Sequence, residues 1–292
     1  MTTSPHTKTK KTYDAHITGL GEKVNNGMSV NAKSLVSLFK ELQPKYSIAV
    51  GSGGSITSAV YFGQVVERLT QHPCIVLTPL ELISSAIDLR DTVCLLFSAE
   101  GKNPDILKAF EFAKQHGAHI HCIVNHQNTP LEKACAESAQ HLHYINTPNK
   151  DGFLATESIV STIAAAISAY RKSINQSIPV FSSNAYQFMD DISFRNIEGI
   201  LFVYSPRLKA AALDFESRAH ESGLIYVQIA DLRNFAHGRH FGAYQNREKG
   251  AIFLLSDDTT DTLAQNIIST IGNSLLVYHR RFRGEWDESP HN

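Results

Sequence analysis

The chain has 292 residues, of which 42% are hydrophobic and 19% are charged, and its formal net charge is −1. This composition is typical of a globular protein with one large or two medium domains. Because the sequence has no global excess of basic residues, we do not expect nucleic acid or an anionic membrane as its main partner.

The N-terminal segment and the cysteines indicate the cellular compartment. Residues 1–12 are polar and contain lysines without an apolar core, which is not the pattern of a secretory signal. No stretch approaches the about 20 apolar residues that a membrane span requires. Cys74, Cys94, Cys122 and Cys135 form no CxxC pair, and three of them lie in apolar runs or a helical pattern. We therefore expect reduced core thiols and a cytoplasmic protein.

The first half of the chain alternates between strand and helix patterns. Helical spacing predicts a helix over 31–42, with Asn31 placed to cap it and Pro44 after its end. The short apolar runs that follow predict a parallel sheet with helices on both faces. The predicted strands are 46–51, 74–77, 92–97, 119–124 and 141–145, and the helices are 56–69, 81–87, 104–116, 130–138 and 154–172.

A polar segment at 173–183 is predicted to be a linker, and a shorter α/β series follows it. Asp257, Asp258 and Asp261 are expected to cap the start of its last helix, and the basic run 279–283 to cap the end. The predicted elements are strands at 199–204, 224–229 and 251–255 and helices at 206–222 and 260–279, with an irregular stretch between 229 and 251.

Two turns rich in small polar residues follow the first and third predicted strands. They read Gly51-Ser52-Gly53-Gly54-Ser55 and Ser98-Ala99-Glu100-Gly101-Lys102-Asn103-Pro104-Asp105. Glycines let the backbone approach an anion, hydroxyls donate hydrogen bonds to it, and helix N-termini stabilise its charge. Because ligands of an open parallel sheet lie beyond the carboxyl ends of its strands, Ser55 and Ser98 are expected to converge on one phosphate. The alternative is that both serines only cap helices.

The two turns, in this order, resemble the signature of SIS (sugar isomerase) domains, whose second motif commonly reads Ser-x-Ser-Gly-x-Thr-x-Asp. The segment 152–158 resembles the Gly-Val-Ala-Ser-Thr-Lys element of the family. The segments 212–216 and 234–238 resemble elements of tandem-SIS proteins, among them the isomerase half of glucosamine-6-phosphate synthase. The resemblance spans most of residues 35–275.

The resemblance implies an α/β fold of two tandem SIS units, each a flavodoxin-like parallel sheet flanked by helices in an α-β-α sandwich. The expected organisation is an N-terminal tail or helix at 1–30, a first SIS domain at 31–178 and a second at 184–292. It also implies a homodimer or higher homo-oligomer whose ligand is a phosphorylated sugar or related carbohydrate derivative. We expect no cofactor and no metal.

The resemblance also implies roles for individual residues. Glu216 would be the base that moves a proton between C1 and C2 of an open-chain sugar, and His237 of a neighbouring subunit would assist ring opening. Aldose–ketose isomerisation needs such a carboxylate base and a second acid or base at the ring oxygen. The substrate-binding residues expected on the same grounds are Gly53, Ser55, Ser98, Glu100, Gly101, Lys102, Asn103, Thr156 and Arg239.

Several positions depart from the family pattern. Ala99 replaces a polar residue, Glu100 stands where serine is usual, and Asn103 replaces threonine. The loss of hydroxyl donors and the added carboxylate would weaken a phosphate site, and Lys102 would offset this in part. In addition, Glu157 stands where the family has lysine.

Three functions therefore remain open. The first is an isomerase of sugar phosphates or an isomerase or deaminase of amino-sugar phosphates. The second is a sensor or partner protein that binds the same ligands without catalysis. The third is recognition of a nucleotide or nucleotide-linked sugar by the cationic stretch 233–240, where Arg239 replaces proline.

Two HxH pairs, His119 with His121 and His141 with His143, lie on strands predicted to be neighbours. Alternation along a strand places each pair on one face, where histidines are good zinc ligands. The pairs lie at the starts of their strands, opposite the expected ligand edge. We therefore favour ordinary packing at the strand ends over a metal site.

Overall fold

A computed structural model describes residues 20–29, 33–42, 46–145, 147, 154, 156–178 and 196–282. The chain divides into two compact units, 1–190 and 191–292. Each contains one parallel sheet flanked by helices, as the sequence predicts. Within the described ranges, no helix has the length and hydropathy needed to cross a membrane.

The sheet of unit 1 has five parallel strands in the order β2-β1-β3-β4-β5. All five strands were predicted to within two residues of their ends. The central strand β3 is buried at every residue, which explains its continuous apolar sequence. The strands are β1 (Ser47–Val50), β2 (Cys74–Leu77), β3 (Val93–Phe97), β4 (His119–Val124) and β5 (His141–Tyr144).

The helices of unit 1 follow the predicted order, with one addition before the first predicted helix. Asn31, Pro44 and residues 152, 153 and 155 of the third SIS-like segment lie outside the described residues. The helices are α1 (Leu20–Ser29), α2 (Lys33–Glu41), α3 (Gly54–Thr70), α4 (Pro79–Ile83), α5 (Pro104–Gln115), α6 (Pro130–Glu137) and α7 (Glu157–Ser173).

Helix α4 is shorter and begins earlier than the predicted span of 81–87. Thr78 accepts a hydrogen bond from the Glu81 amide, and the Glu81 carboxylate accepts one from the Thr78 amide. This capping box sets the start of the helix at Pro79, in the first helical position.

Apolar side chains from both faces of the sheet form the core of unit 1. On one face, Leu96 of β3 and Phe110 of α5 belong to a fully buried cluster. Elsewhere, Phe62 of α3 packs edge-on against Phe97, with ring centroids 4.8 Å apart. All four cysteines of the chain are buried and free, which confirms the expected reduced thiols.

Unit 2 has a four-stranded parallel sheet in the order β7-β6-β8-β9. The strands are β6 (Gly199–Tyr204), β7 (Tyr226–Asp231), β8 (Gly250–Asp257) and β9 (Leu276–Phe282). The two longer helices are α8 (Lys209–Ser222) and α11 (Asp261–Ile271). Two short helices, α9 (Leu232–Asn234) and α10 (His240–Gln245), are joined by a π-helical turn, Phe235–Arg239.

Two predictions for unit 2 were wrong. The stretch expected to be irregular between 229 and 251 contains α9, the π-helical turn and α10. The last helix ends at Ile271 rather than 279, because Gly272 adopts a positive φ of 58° and breaks it. The basic residues from His279 to Arg281 lie in β9, so they do not cap a helix. Apolar residues from Leu275 to Tyr278 suit a strand, and the helical periodicity was extended too far over them.

A buried carboxylate joins β6 and β8 at the carboxyl ends of these strands. Asp257 is 6% exposed, and its Oδ2 accepts a hydrogen bond from the hydroxyl of fully buried Ser205, 2.5 Å away. Its Oδ1 accepts bonds from the amides and hydroxyls of Thr259 and Thr260 at 2.7 to 3.0 Å. Burial raises the pKa of Asp257, but these hydrogen bonds outweigh burial and lower it below the usual value.

The histidines of β4 and β5 do lie side by side, since the two strands pair in parallel. The His121 Nδ1 and His143 Nε2 atoms are 3.0 Å apart, and His121 stacks on His141 with centroids 4.5 Å apart. Burial and the neighbouring histidines lower the pKa of His121 to about 3 and that of His143 to about 4. Among the described residues, no group of three His, Cys, Asp or Glu side chains is arranged to hold a metal ion.

We predict that Asp257→Ala destabilises unit 2 by about 3 kcal/mol, because it leaves the buried Ser205 hydroxyl without its acceptor and removes the charged acceptor of the Thr259–Thr260 turn. Urea unfolding measures the loss. Asp258→Ala is the matched control. Exposed Asp258 pairs with Arg281 at the surface, so its loss should cost much less. Equal losses in both variants would contradict the role of the buried network.

We predict that acid destabilises unit 1 through the histidine pair. The folded state keeps His121 and His143 neutral, whereas the unfolded chain takes up protons below pH 6.5. The stability that the neutral histidine pair contributes is fully present above pH 6.5 and is lost as the pH falls towards about 4. A His121→Gln/His143→Gln variant should therefore show a smaller fall in Tm between pH 7 and pH 4.5, while exposed His72→Gln should behave like the wild type. An unchanged fall in the double variant would refute this.

Candidate functional site

The turn after β1 is shaped by glycines. A Cβ at Gly51 would lie 2.5 Å from the Ser55 carbonyl oxygen, so a larger residue does not fit without displacing the backbone. Gly53 precedes α3 with a φ of 53°. The Ser55 and Ile56 amides donate to the carbonyls of Ser52 and Gly53 at 3.1 Å. The chain thus enters α3 directly, with half-buried Ser55 in its first turn.

The turn after β3 holds a buried serine in a defined orientation. Ser98 is 8% exposed, and its Oγ accepts a hydrogen bond from the Gly101 amide at 3.1 Å. Gly101 has a φ of 58°, and a Cβ there would lie 2.5 Å from Thr129 Oγ1. Because the Ser98 oxygen accepts from the backbone, its hydroxyl proton is directed elsewhere and can be donated to a ligand.

These turns converge on a small polar pocket at the carboxyl edge of the unit 1 sheet. Ser55 and Ser98 both line this pocket, so the two serines lie together as predicted. Its volume is about 10 Å³, close to the space that one water molecule needs. Its lining consists of Ser55, Ser58, Ser98, Asn125, Ser158 and Thr162 with the apolar Phe97, Ala99, Ile123 and Ile159.

Asn125 is a pocket residue that the sequence interpretation missed. It is 4% exposed and follows β4 as Ser98 follows β3. Its amide nitrogen Nδ2 donates to Thr162 Oγ1 at 3.1 Å and to the Ile145 carbonyl at 3.3 Å, and its backbone amide donates to the Ala99 carbonyl at 2.9 Å. Asn125 therefore joins the turn after β3 to α7. The signal was available, because a polar residue after a buried parallel strand points to the ligand edge.

Helix α7 supplies two further hydroxyls, and Ser58 of α3 supplies another. Ser158 and Thr162 are four residues apart and therefore lie on the same face of the helix. Thr156, the residue predicted from the SIS-like segment, lies just before α7, and its hydroxyl donates to the Leu154 carbonyl at 3.3 Å. It is buried but does not line the pocket.

A larger open cleft of about 510 Å³ shares Ser98 with the polar pocket. Glu100, Lys102, Asn103 and Pro104 also line it, so four predicted binding residues, with Ser98, lie together. The Lys102 ammonium is 2.5 Å from the Glu100 carboxylate, and both side chains are partly exposed. The Asn103 side chain accepts a bond from the Asp105 amide at 2.8 Å and thereby caps α5.

The remaining predicted residues lie in unit 2. Half-buried Glu216 is on α8, and His237 and Arg239 are exposed on the π-helical turn. Arg239 Nη1 donates to the Ile229 carbonyl at 2.9 Å. Burial and Asp231 raise the pKa of Tyr204, Arg239 opposes this rise, and Glu216 adds to it. The charges of Glu216 and Arg239 therefore both act on the Tyr204 hydroxyl.

Comparison with known proteins finds similarity over most of the first unit. Residues 43–171 match the model of the SIS domain. Glutamine–fructose-6-phosphate aminotransferase (isomerizing) 2 of Homo sapiens is 31% identical over 125 residues, and the Mus musculus protein gives the same values. The match covers 41% of this chain and spans only 17% of the length of either mammalian protein.

Solved structures share the fold at low sequence identity. Tagatose-6-phosphate ketose/aldose isomerase from Escherichia coli has a TM-score of 0.71 at 15% identity, covering 92% of this chain and 79% of that one. Glucosamine-6-phosphate deaminase from Thermotoga maritima has a TM-score of 0.69 at 15% identity, covering 90% and 85%. The match to the SIS model covers both turns and all the residues that line the pocket.

Proposed function

We propose that unit 1 binds the phosphate group of a phosphorylated sugar or related carbohydrate derivative. The observation that carries the proposal is the hydroxyl-lined pocket at the carboxyl edge of the sheet, next to the first turns of α3 and α7. Hydroxyl donors and helix N-termini favour an anion at such a position. The SIS match and structural neighbours named as isomerases and deaminases of sugar phosphates support the same ligand class.

The two cavities suggest how such a ligand would be divided between them. A pocket of about 10 Å³ is too small for a whole phosphate, so the group would lie at its mouth with one oxygen directed inward. The cleft of about 510 Å³ is in the range of small-molecule sites, and it would receive the sugar. Ser98 lines both cavities and would contact the phosphate, while Glu100 and Lys102 would face sugar hydroxyls or an amine.

We also propose that the protein is an isomerase of sugar phosphates, or an isomerase or deaminase of amino-sugar phosphates, with two SIS units. In this proposal Glu216 removes a proton from the carbon next to the carbonyl group and returns it to the neighbouring carbon, and His237 of a second subunit opens the ring. A homodimer would then be required. The buried free thiols support a cytoplasmic location.

A second candidate is binding without catalysis, in a sensor or partner protein. Contacts within the cleft favour this candidate, because Glu100 is paired with Lys102 and the Asn103 side chain caps α5. These contacts leave fewer groups of the cleft for chemistry on a ligand. The two candidates share the phosphate site and differ in the role of Glu216.

For the phosphate site, we predict that Ser55→Ala/Ser98→Ala weakens binding of the stabilising sugar phosphate at least about tenfold, since two hydrogen bonds to a charged group are lost. A thermal-shift screen of hexose, pentose and amino-sugar phosphates selects the ligand, and calorimetry measures its Kd. Ser269→Ala, at an exposed position of α11, is the control and should bind like the wild type. Equal affinity in the double variant would disprove the site, and stabilisation by nucleotides alone would disprove the ligand class.

For catalysis, we predict that Glu216→Gln lowers isomerase turnover at least about 100-fold while the Kd changes little, because a general base acts in the transition state. The assay follows aldose–ketose interconversion, or ammonia release, by NMR with the ligand found above. Glu221→Gln, an exposed position of the same helix, should retain full turnover. A wild type that binds but never turns over would favour the sensor, and turnover that survives in Glu216→Gln would exclude this residue as the base.

A further inference from the structure

A fully buried carboxylate beside the polar pocket forms an ion pair with a lysine that is partly exposed. Glu157 is the first residue of α7 and is 0% exposed, and its neighbour Ser158 lines the pocket. The Glu157 Oε2 atom is 3.4 Å from the Nζ atom of Lys23, whose side chain is 15% exposed. Lys23 belongs to α1, which lies outside the segment that matches the SIS model.

Close packing of α1 against α7 sets the position of Lys23. A Cβ at Gly27 would lie 2.7 Å from the Ala164 Cβ, so the two helices approach too closely for a larger residue. In addition, the Ser168 hydroxyl donates to the Met28 carbonyl at 2.8 Å. Lys23 lies four residues before Gly27 and therefore on the same face of α1, directed towards α7.

The charge of Glu157 matters for an anion at the pocket. A carboxylate at a helix N-terminus is stabilised by the same partial positive charge that would attract a phosphate, so the two anions compete for it. In a buried setting their repulsion is poorly screened by solvent. The Lys23 ammonium compensates the carboxylate where it stands.

We propose that Lys23 is a positioning residue for anion binding in unit 1, which acts by neutralising Glu157. The inference rests on the proposed phosphate site and adds to it a determinant from outside the SIS segment. Lys23 would not contact the ligand. It would keep the N-terminus of α7 attractive to a phosphate despite the adjacent buried carboxylate.

Inorganic phosphate is the probe, and calorimetry with full-length protein measures its Kd for four variants and the wild type. Lys23→Met should weaken binding about tenfold, since it removes the positive charge that lies 3.4 Å from the buried Glu157 carboxylate. Lys23→Arg should retain affinity, because it keeps the charge. Glu157→Gln should bind phosphate more tightly than the wild type, and Lys23→Met/Glu157→Gln should recover the wild-type Kd to within about threefold.

The double variant distinguishes neutralisation of Glu157 by Lys23 from direct contact between Lys23 and the phosphate. If Lys23 touched the phosphate, Lys23→Met/Glu157→Gln would bind as weakly as Lys23→Met, and this result would overturn the inference. Unchanged binding in Lys23→Met would overturn it too. Should Lys23→Met fail to fold, Glu157→Gln still decides, since equal or weaker binding contradicts the neutralising role.

Failure of the underlying phosphate site gives a different result. Wild-type protein that binds no phosphate, or that binds it equally well after Ser55→Ala/Ser98→Ala, would overturn the proposed function and this inference together. Binding that depends on the two serines but not on the Lys23–Glu157 pair would overturn the inference alone.

Discussion

The central strands β1 and β3 are neighbours, and the chain continues from them towards opposite edges of the unit 1 sheet. After β1 it runs to β2, which pairs with the edge of β1 that faces away from β3. After β3 it runs to β4, which pairs with the edge of β3 that faces away from β1. The loops after these two strands must therefore diverge, and a space opens between them at the carboxyl edge. Ser55 and Ser98 follow the two strands and face this space together. The pocket, the cleft beside it and the first turn of α7 all depend on this reversal of strand order.

Unit 2 has the corresponding reversal between β6 and β8 but fills it differently. There the carboxylate of Asp257 accepts hydrogen bonds from the Ser205 hydroxyl and from the hydroxyls and amides of Thr259 and Thr260. Unit 1 places hydroxyls around a cavity at this point, whereas unit 2 places a buried anion among hydroxyls. The same strand topology therefore yields a candidate ligand site in one unit and an internal structural bond in the other.

The turn after β3 departs from the common SIS motif in its side chains, but its backbone still holds Ser98 in a defined orientation. Gly101 keeps a left-handed conformation, and its amide orients Ser98. The unusual Glu100 lines the cleft and pairs with Lys102. The departures thus alter the lining of the cleft more than the position of Ser98.

The sequence alone predicted the parallel α/β elements of unit 1, the two glycine turns and the meeting of Ser55 with Ser98. These follow from local periodicity and from the rule that parallel strands end at one edge. It also predicted the adjacent histidine pairs, since consecutive strands usually neighbour each other. The last helix was predicted too long, because helical spacing and an apolar strand look alike over short runs and Gly272 was overlooked as a stop.

Only the tertiary structure placed Asn125, Ser158 and Thr162 around the same pocket. These side chains come from different elements, and their convergence depends on how α7 packs across the sheet rather than on any local pattern. The partner of Glu157 could not be read from the sequence either. Lys23 is 134 positions away, and it reaches the carboxylate because Gly27 lets α1 approach α7 closely. Long-range contacts of this kind arise from packing, and no local pattern specifies them.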